Sequence, residues 1–350
     1  MMATELGMTN AQEIIDVSPI GEVKKKLGTS FFRGENCNFN PYATDHQNEQ
    51  FCEKFILKGH LPKQKIINKD TKITAFGSCF AENITKHLSS LGFNLSKNRA
   101  PDIYISNMGE GLVNVHSLLQ QFEWALTNKL PPENLWHGFD ANTFGYDDGI
   151  REKTRVILLS TEVFIITLGL SEVWYDEVTG GIFWRAIPMK FYDKDRHKFR
   201  VCSFAETKDA IASMYQLIRS NVKNAKIIFT LSPIPLIATF RNQSCITANS
   251  SSKSILRAAL DEFIRADLNN SDPDLHYFPA FEIINELFPA RFVEDGRHLH
   301  EFIVPTVMKI FEAHYCESDL TPADAEKQLK ISRSMSADIC KQDIRFRSPI

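Results

Sequence analysis

The sequence has no pair of closely spaced cysteines and no long apolar run. Its seven cysteines are odd in number and scattered, with no C-x-x-C pair, which argues against a disulfide framework and against a zinc ribbon. No window approaches the roughly 18 consecutive apolar residues that a membrane-spanning helix needs. The first residues also lack the basic start and apolar core of a signal peptide. We therefore expect reduced thiols, no membrane span and a cytoplasmic protein.

The sequence also lacks a strong net charge and nucleotide-binding motifs. The formal charge is −3 at pH 7, which gives no electrostatic reason to expect a nucleic-acid partner. Neither a Gly-x-x-x-x-Gly-Lys run nor a dinucleotide-binding fingerprint is present. His298 and His300 form a two-histidine pair without a third ligand at metal spacing. We expect no cofactor and no metal, keep acyl-CoA as a candidate co-substrate, and draw no conclusion on oligomeric state.

What the sequence does have is an alternating pattern of strands and helices. Apolar runs at residues 73–76, 163–168 and 227–231 end at Gly77, Gly169 and Ser232. Near-continuous apolar runs are typical of strands buried on both faces of a parallel sheet. Helical patterns lie at residues 81–91, 117–126, 207–221 and 250–268. This order predicts an α/β protein with a three-layer, doubly wound domain, whose strand ends meet at one crevice.

The flanking segments differ from this pattern. Residues 1–59 are predicted to form an irregular N-terminal arm, residues 60–315 the α/β domain, and residues 316–350 a polar C-terminal tail. From about Leu320 this tail is expected to be either mobile or a surface helix. The run Thr179-Gly180-Gly181 between apolar residues predicts a hairpin turn. We therefore expect residues 174–202 to be a flap inserted near the crevice.

Two candidate nucleophiles follow the first strand, in the turn Gly77-Ser78-Cys79. Glycine permits a tight turn, and the N-terminus of the following helix favours negative charge. The thiolate is the reactive form of cysteine, and such a position stabilises it. Cys79 and Ser78 are therefore alternative nucleophiles. The structural alternative is that Cys79 is a small buried apolar residue.

A base and its orienting carboxylate are offered by Asp295-Gly296-Arg297-His298. An aspartate three residues before a histidine can accept from one ring nitrogen and leave the other for the nucleophile. The alternative is that Asp295 caps the next helix and His298 is a surface residue.

These motifs together resemble the GSCFA family, which is similar to the SGNH/GDSL hydrolases. The resemblance is carried by Phe76-Gly77-Ser78-Cys79-Phe80-Ala81 and by residues 167–174, 232–236, 277–283 and 295–298. It covers roughly residues 60–315. It implies an SGNH-hydrolase-like, flavodoxin-like α/β/α domain with a parallel sheet, an inserted β-hairpin flap and extended termini.

The resemblance also implies roles for single residues. If Gly77 matches the glycine of the SGNH nucleophile block, Cys79 falls at the catalytic serine, whereas a shift of one residue nominates Ser78. The terminal Asp-x-x-His then makes Asp295 the orienter and His298 the base. For the oxyanion hole, Gly109 and Gly111 compete as backbone donors, unless they are ordinary loop glycines.

The third block departs from the hydrolase pattern, because Gly169 is followed by Glu172 where an amide donor is expected. An ionised glutamate cannot donate a hydrogen bond. Glu172 is expected to bind a substrate hydroxyl or ammonium, to hold His298, to be protonated in an apolar crevice, or simply to be paired structurally. Trp174 is expected to stack on a sugar ring or wall an acyl pocket, unless it is a core residue, and Ser232 to shape the crevice wall.

These assignments imply acyl transfer or deacylation on a carbohydrate or small acylated substrate. Transfer from an acyl thioester to a glycan hydroxyl and hydrolysis of a carbohydrate ester both fit. The alternative is a catalytically silent protein that uses the same fold to hold a glycan, a lipid or a protein partner.

Overall fold

The structure is a computed structural model that describes residues 38–107, 112–132, 147–268 and 272–342, together with four short strands before residue 38. The chain divides into two compact units, Met1–Asn48 and Glu49–Ile350. The predicted boundaries at residues 60 and 316 stay predictions.

The first unit contains two short antiparallel strand pairs. Strand β1 (Met8–Thr9) pairs with β4 (Phe31–Phe32), and β2 (Ile14–Val17) pairs with β3 (Val23–Lys26). A 3-10 helix follows at Ala43–Gln47.

The second unit is built from strands and helices that alternate along the chain. Its strands within the described residues are β5 (Ile73–Gly77), β6 (Val163–Leu168), β7 (Glu172–Asp176), β8 (His197–Val201), β9 (Lys226–Leu231) and β10 (Leu275–Phe278). Its α-helices there are α1 (Cys79–Ser90), α2 (Ser96–Arg99), α3 (Tyr104–Asn107), α4 (Val115–Thr127), α5 (Asp148–Leu159), α6 (Phe204–Asn221), α7 (Cys245–Leu268), α8 (Ala280–Leu287), α9 (Ile303–Tyr315) and α10 (Pro322–Gln342). A π-helix at Glu53–Leu57 and a 3-10 helix at Met189–Phe191 complete these elements.

The main sheet is four-stranded and parallel, with the order β10-β9-β6-β5. The three predicted strands occur as β5, β6 and β9, and β10 extends the sheet at one edge. Parallel neighbours require crossover connections, which the helices supply. The predicted α/β class with a parallel sheet is confirmed.

Both faces of this sheet are covered by helices. Alternate residues of β6 point to opposite sides, so that Phe164 packs in one hydrophobic cluster and Ile165 in the other. The first cluster includes buried residues of α4, α6 and α7, and the second includes buried residues of α1, α8, α9 and α10. The sheet is therefore the middle layer of an α/β/α arrangement.

The predicted flap is present as an antiparallel pair outside the main sheet. Gly180 adopts a positive φ of 74°, and Tyr175 and Ile182 form a bridge on either side of the turn. The main partner of β7 is nevertheless the later strand β8, which pairs along its full length. The glycine pair in the sequence predicted the turn at Gly180, whereas β7 forms most of its backbone pairing with the more distant β8.

Two further features concern the helices. No helix among the described residues is long and apolar enough to cross a bilayer. The segment predicted as a polar tail contains α10, which buries Ala325 and Leu329 in the second hydrophobic cluster.

Candidate functional site

A cavity of about 350 Å³ lies where β5, β6 and β9 end. Five of the residues that the sequence nominated line it, namely Ser78, Gly169, Glu172, Trp174 and Ser232. Three of them directly follow a strand of the parallel sheet, which is where ligands bind in open α/β sheets. The fold therefore brings these separate motifs to one site.

The turn after β5 depends on Gly77. Its φ is 132°, and a Cβ atom there would lie 2.2 Å from the carbonyl oxygen of Thr167. Gly77 also pairs with Thr167 in the register of the sheet. Only glycine fits this close approach, which allows the chain to leave the strand and enter α1 at the cavity.

Ser78 is the N-cap of α1. Its side chain is buried, and its Oγ accepts a hydrogen bond of 3.2 Å from the backbone N–H of Phe80. Accepting this bond leaves the hydroxyl proton free to be donated. Capping and nucleophilic roles are therefore compatible for Ser78.

Three of the residues that the sequence nominated lie wholly or in part outside the described part of the chain. Cys79 is the first residue of α1, but its side chain is outside the described part. Gly109 and Gly111 lie in the undescribed segment 108–111, so their predicted oxyanion role stays a prediction.

Asp295 and His298 form the hydrogen-bonded pair that their spacing predicted. Asp295 Oδ2 is bonded to His298 Nδ1, and Oδ1 accepts from the backbone N–H groups of Arg297 and His298 at 2.9 Å each. The hydrogen bond with His298 lowers the pKa of Asp295 to about 2, with help from the two backbone bonds. Because an ionised carboxylate only accepts, Nδ1 carries a proton and Nε2 of the neutral ring is left as a base.

The turn that carries this pair approaches Ser78, but His298 makes no direct contact with it by a hydrogen bond among the described residues. Arg297, in the same turn, lines the cavity together with Ser78. The His298 side chain is 66% exposed, and in the described part of the chain no hydrogen bond joins it to Ser78. The turn therefore reaches the cavity, but among the described residues Ser78 and His298 are not hydrogen-bonded to each other.

Two groups that resemble oxyanion donors are already engaged. The backbone N–H of Gly169 donates to Val113 O at 2.9 Å. The side-chain amide of Asn114, another lining residue, donates to the carbonyl oxygens of Phe183 and Trp184 at 3.3 and 3.2 Å. Its Oδ1 also accepts from Ser117 N, which caps α4. Gly169 and Asn114 therefore hold the cavity wall together.

Glu172 is a buried carboxylate in the cavity lining. Its Oε2 accepts from Thr239 Oγ1 at 2.9 Å, whereas its Oε1 lies 3.9 Å from Arg241. Burial raises the pKa of Glu172, and the Thr239 bond and the Arg241 charge oppose that rise. The raised pKa favours the protonated form of Glu172 relative to an exposed glutamate, and it is the protonated form that can donate a hydrogen bond.

The remaining wall is largely aromatic. The Trp174 ring packs edge-on against Phe240 and Phe199, with centroid distances of 4.8 and 5.6 Å. Its Nε1 is buried and has no hydrogen-bond partner among the described residues. Ile237, at the same cavity, is 80% exposed, so part of the mouth is apolar. Such a wall suits a sugar ring or an apolar acyl group.

Lys253, on α7, is a residue that sequence reasoning missed. Its Nζ is buried and donates to the carbonyl oxygens of Gly169 and Ser232 at 2.6 and 2.8 Å. It thereby ties together the residues that follow β6 and β9. No sequence signal marked it, because a lysine in a helix ordinarily faces solvent. Ser232 itself is buried, and its Oγ accepts from Ile234 N at 3.3 Å.

Another cluster of metal-ligating types lies at His116, Cys202 and Glu206, whose ligand atoms are all within 4.8 Å of one another. Arg200 donates two hydrogen bonds to Glu206, at 2.7 and 2.5 Å. Burial raises the pKa of the Cys202 thiol to about 12. Both oxygens of the Glu206 carboxylate, which a metal ion would need as ligands, already accept hydrogen bonds from Arg200. The cluster is therefore an ion-pair network around Glu206.

Comparisons with known proteins give one family and several distant structural likenesses, of which two are described below. The GSCFA family matches residues 72–311, which is more than half of the chain. No curated protein matches.

A carbohydrate esterase family 2 enzyme with a carbohydrate-binding domain, from Corynascus thermopiles (Myceliophthora fergusii), is 12% identical with a TM-score of 0.29. The alignment covers 88% of this chain and 72% of that one. An acetyl xylan esterase, Est2A, from the rumen bacterium Butyrivibrio proteoclasticus is 10% identical with a TM-score of 0.27, covering 81% of this chain and 66% of that one. Likeness at this level establishes no shared activity.

Proposed function

The chain belongs to the GSCFA family, and we propose that its cavity cleaves or transfers an acyl group carried on a carbohydrate or similar hydroxyl compound. The nucleophile is Cys79 or Ser78, His298 is the base, and Asp295 orients it. The observation that carries the proposal is the bonded Asp295–His298 pair in a turn whose Arg297 lines the same cavity as Ser78.

The chemistry follows from these groups. His298 Nε2 takes the proton of the nucleophile as its oxygen or sulfur bonds to the carbonyl carbon. The proton then passes from His298 to the leaving oxygen of an ester or the leaving sulfur of a thioester, the bond to that atom breaks, and an acyl-enzyme remains. Water then releases the acid in an esterase, whereas a second hydroxyl compound takes the acyl group in a transferase. The N-terminus of α1 favours the negative charge that develops next to Ser78.

The aromatic wall argues for the substrate class. Trp174 offers a face or edge to a sugar ring, and a buried Glu172 suits a hydroxyl partner. An acylated sugar therefore fits the aromatic wall and the apolar part of the mouth. Acyl-CoA is the thioester donor to test for the transfer reaction.

The test is hydrolysis of 4-nitrophenyl acetate and of an acetylated xylo-oligosaccharide, with and without acetyl-CoA. We expect His298→Ala to lower kcat by about 10²–10⁴, the range for loss of a general base. Loss of activity in Cys79→Ala or in Ser78→Ala identifies the nucleophile. Full activity in His298→Ala would contradict the proposal.

The second candidate is a catalytically silent binding protein. The observation in its favour is that no hydrogen bond links Ser78 to His298 in the described part of the chain. In that case the acetylated oligosaccharide binds without turnover, and Trp174→Ala weakens binding while His298→Ala leaves it unchanged.

A further inference from the structure

Arg297 is a cation of the cavity lining whose guanidinium has no partner among the described residues. Its Nε is buried without a hydrogen-bond partner, and no ion pair joins its guanidinium to a carboxylate within the described ranges. Two other half-buried arginines of this unit are ion-paired, Arg200 with Glu206 and Arg257 with Glu282. A guanidinium stays charged at all relevant pH values, so an unpaired one beside a cavity favours an anionic ligand group.

The same cavity is short of donors for a negatively charged oxygen. The Gly169 N–H and the Asn114 amide are bonded to carbonyl oxygens of the wall. Glu172 in its ionised form only accepts. Among the described lining groups, uncommitted donors remain on Ser78 Oγ, on Trp174 Nε1 and on Arg297. Of these three, Arg297 is the charged one, and a charged donor binds a negatively charged oxygen most strongly.

We propose that Arg297 is the anion-binding residue of this cavity, and that in the reaction it binds the carbonyl oxygen of the acyl group. This inference rests on the proposed function. As the nucleophile of Ser78 or Cys79 bonds to the carbonyl carbon, its proton passes to His298 Nε2 and the π electron pair moves onto the carbonyl oxygen. Arg297 donates hydrogen bonds to that oxygen. When the bond to the leaving oxygen breaks, the electron pair on the carbonyl oxygen re-forms the C=O bond, and the proton on His298 Nε2 passes to the departing alcohol.

The test compares wild type with Arg297→Gln, Arg297→Lys and the surface control Arg155→Gln, using 4-nitrophenyl acetate. This ester is neutral, so any loss reflects charge that develops in the reaction. Removal of one oxyanion donor costs about 10²–10³ in kcat, and we expect that loss in Arg297→Gln with KM changed less than threefold. Arg297→Lys keeps the charge and retains part of kcat, and Arg155→Gln matches wild type.

Two readouts separate this role from a structural one. Guanidinium chloride at low concentration restores part of the kcat of Arg297→Gln, whereas sodium chloride does not. The melting temperatures of both Arg297 variants stay close to that of wild type. A wild-type kcat in Arg297→Gln would overturn the inference.

A separate measurement distinguishes failure of the proposed function from failure of this inference. Acetate is titrated against the fluorescence of Trp174 and Trp184, which line the cavity. If wild type cleaves no ester but binds acetate at least tenfold more tightly than Arg297→Gln, the proposed function is wrong and the anion-binding role of Arg297 stands. Equal acetate affinity in the two proteins would overturn that role.

Discussion

At the scale of single residues, Asp295 fixes the tautomer and the ring orientation of His298. Its carboxylate bonds to Nδ1 and to two backbone N–H groups of the same turn. Those bonds fix the ring orientation and the tautomer together, and they do so without burying the pair. A solvent-exposed turn thus presents an imidazole ring with a defined tautomer and orientation.

The titration of Asp295 tests this arrangement. In wild type the pKa of Asp295 is about 2, below the ordinary 3.8, and we expect His298→Ala to move it up towards 3.8. A folded-state pKa below the unfolded one adds stability above pH 3.8, and that contribution disappears as the pH falls through about 2. Carboxyl NMR measures the shift, and the stability gap between wild type and His298→Ala follows the same pH window.

Asp324 is the control for that titration. Its pKa is lowered too, but by hydrogen bonds from Thr321, so it keeps its value in His298→Ala. An Asp295 pKa that stayed near 2 without His298 would show that the backbone bonds alone hold the charge.

The sequence predicted residues whose role depends on local spacing and missed those whose role depends on distant contacts. Asp295 and His298 are three residues apart, so a turn joins them whatever the rest of the fold does. Lys253 bonds carbonyl oxygens 84 and 21 residues away, which no local pattern reveals. Arg297 lies inside the motif, but the lack of a partner for its guanidinium among the described residues is a property of the folded cavity.

At the scale of elements, the junction of β5 and β6 is closed by a contact that only glycine permits. Gly77 combines a φ of 132° with a hypothetical Cβ that would lie 2.2 Å from Thr167 O. Gly180, in the flap, also has a positive φ, of 74°, but nothing lies within 4 Å of its hypothetical Cβ. The two positions separate backbone strain from steric clash.

We expect Gly77→Ala to destabilise the protein by more than about 3 kcal/mol, because an unfavourable φ costs about 1–3 kcal/mol and the clash with backbone adds to it. Gly180→Ala has the φ cost alone, about 1–2 kcal/mol. Urea unfolding of both variants measures the difference. Equal losses of stability in the two variants would mean that the Thr167 backbone moves away from a Cβ atom at residue 77 at no cost.

Elements with strong apolar patterns were predicted, and elements completed by distant partners were not. The runs of β5, β6 and β9 are nearly continuous, which marks strands buried on both faces. Strand β10 is four residues long and lies at the sheet edge, so its pattern is too short to separate from a helix. Strands β7 and β8 pair across the intervening residues of the flap, so no local sequence pattern reveals their pairing.

At the scale of the whole molecule, one face of the sheet is completed by the C-terminal part of the chain. Helix α10 is polar on average, and its sequence suggested a tail, yet it buries a narrow apolar stripe that includes Ala325 and Leu329. It is also hydrogen-bonded to α9 through Ser332 and Thr306, and to the Ala290 backbone through Ser336. A narrow stripe on a polar helix is hard to detect from composition.

This packing predicts that stability depends on α10. Leu329 is fully buried, whereas Ile331, two residues along the same helix, is 49% exposed. Truncating a buried leucine to alanine costs about 2–5 kcal/mol, and we expect such a loss for Leu329→Ala. Surface substitutions stay within about 0.5 kcal/mol, so Ile331→Ala loses less than about 1 kcal/mol. Thermal and urea unfolding compare the two; equal small losses would mean that α10 is not part of the folded core.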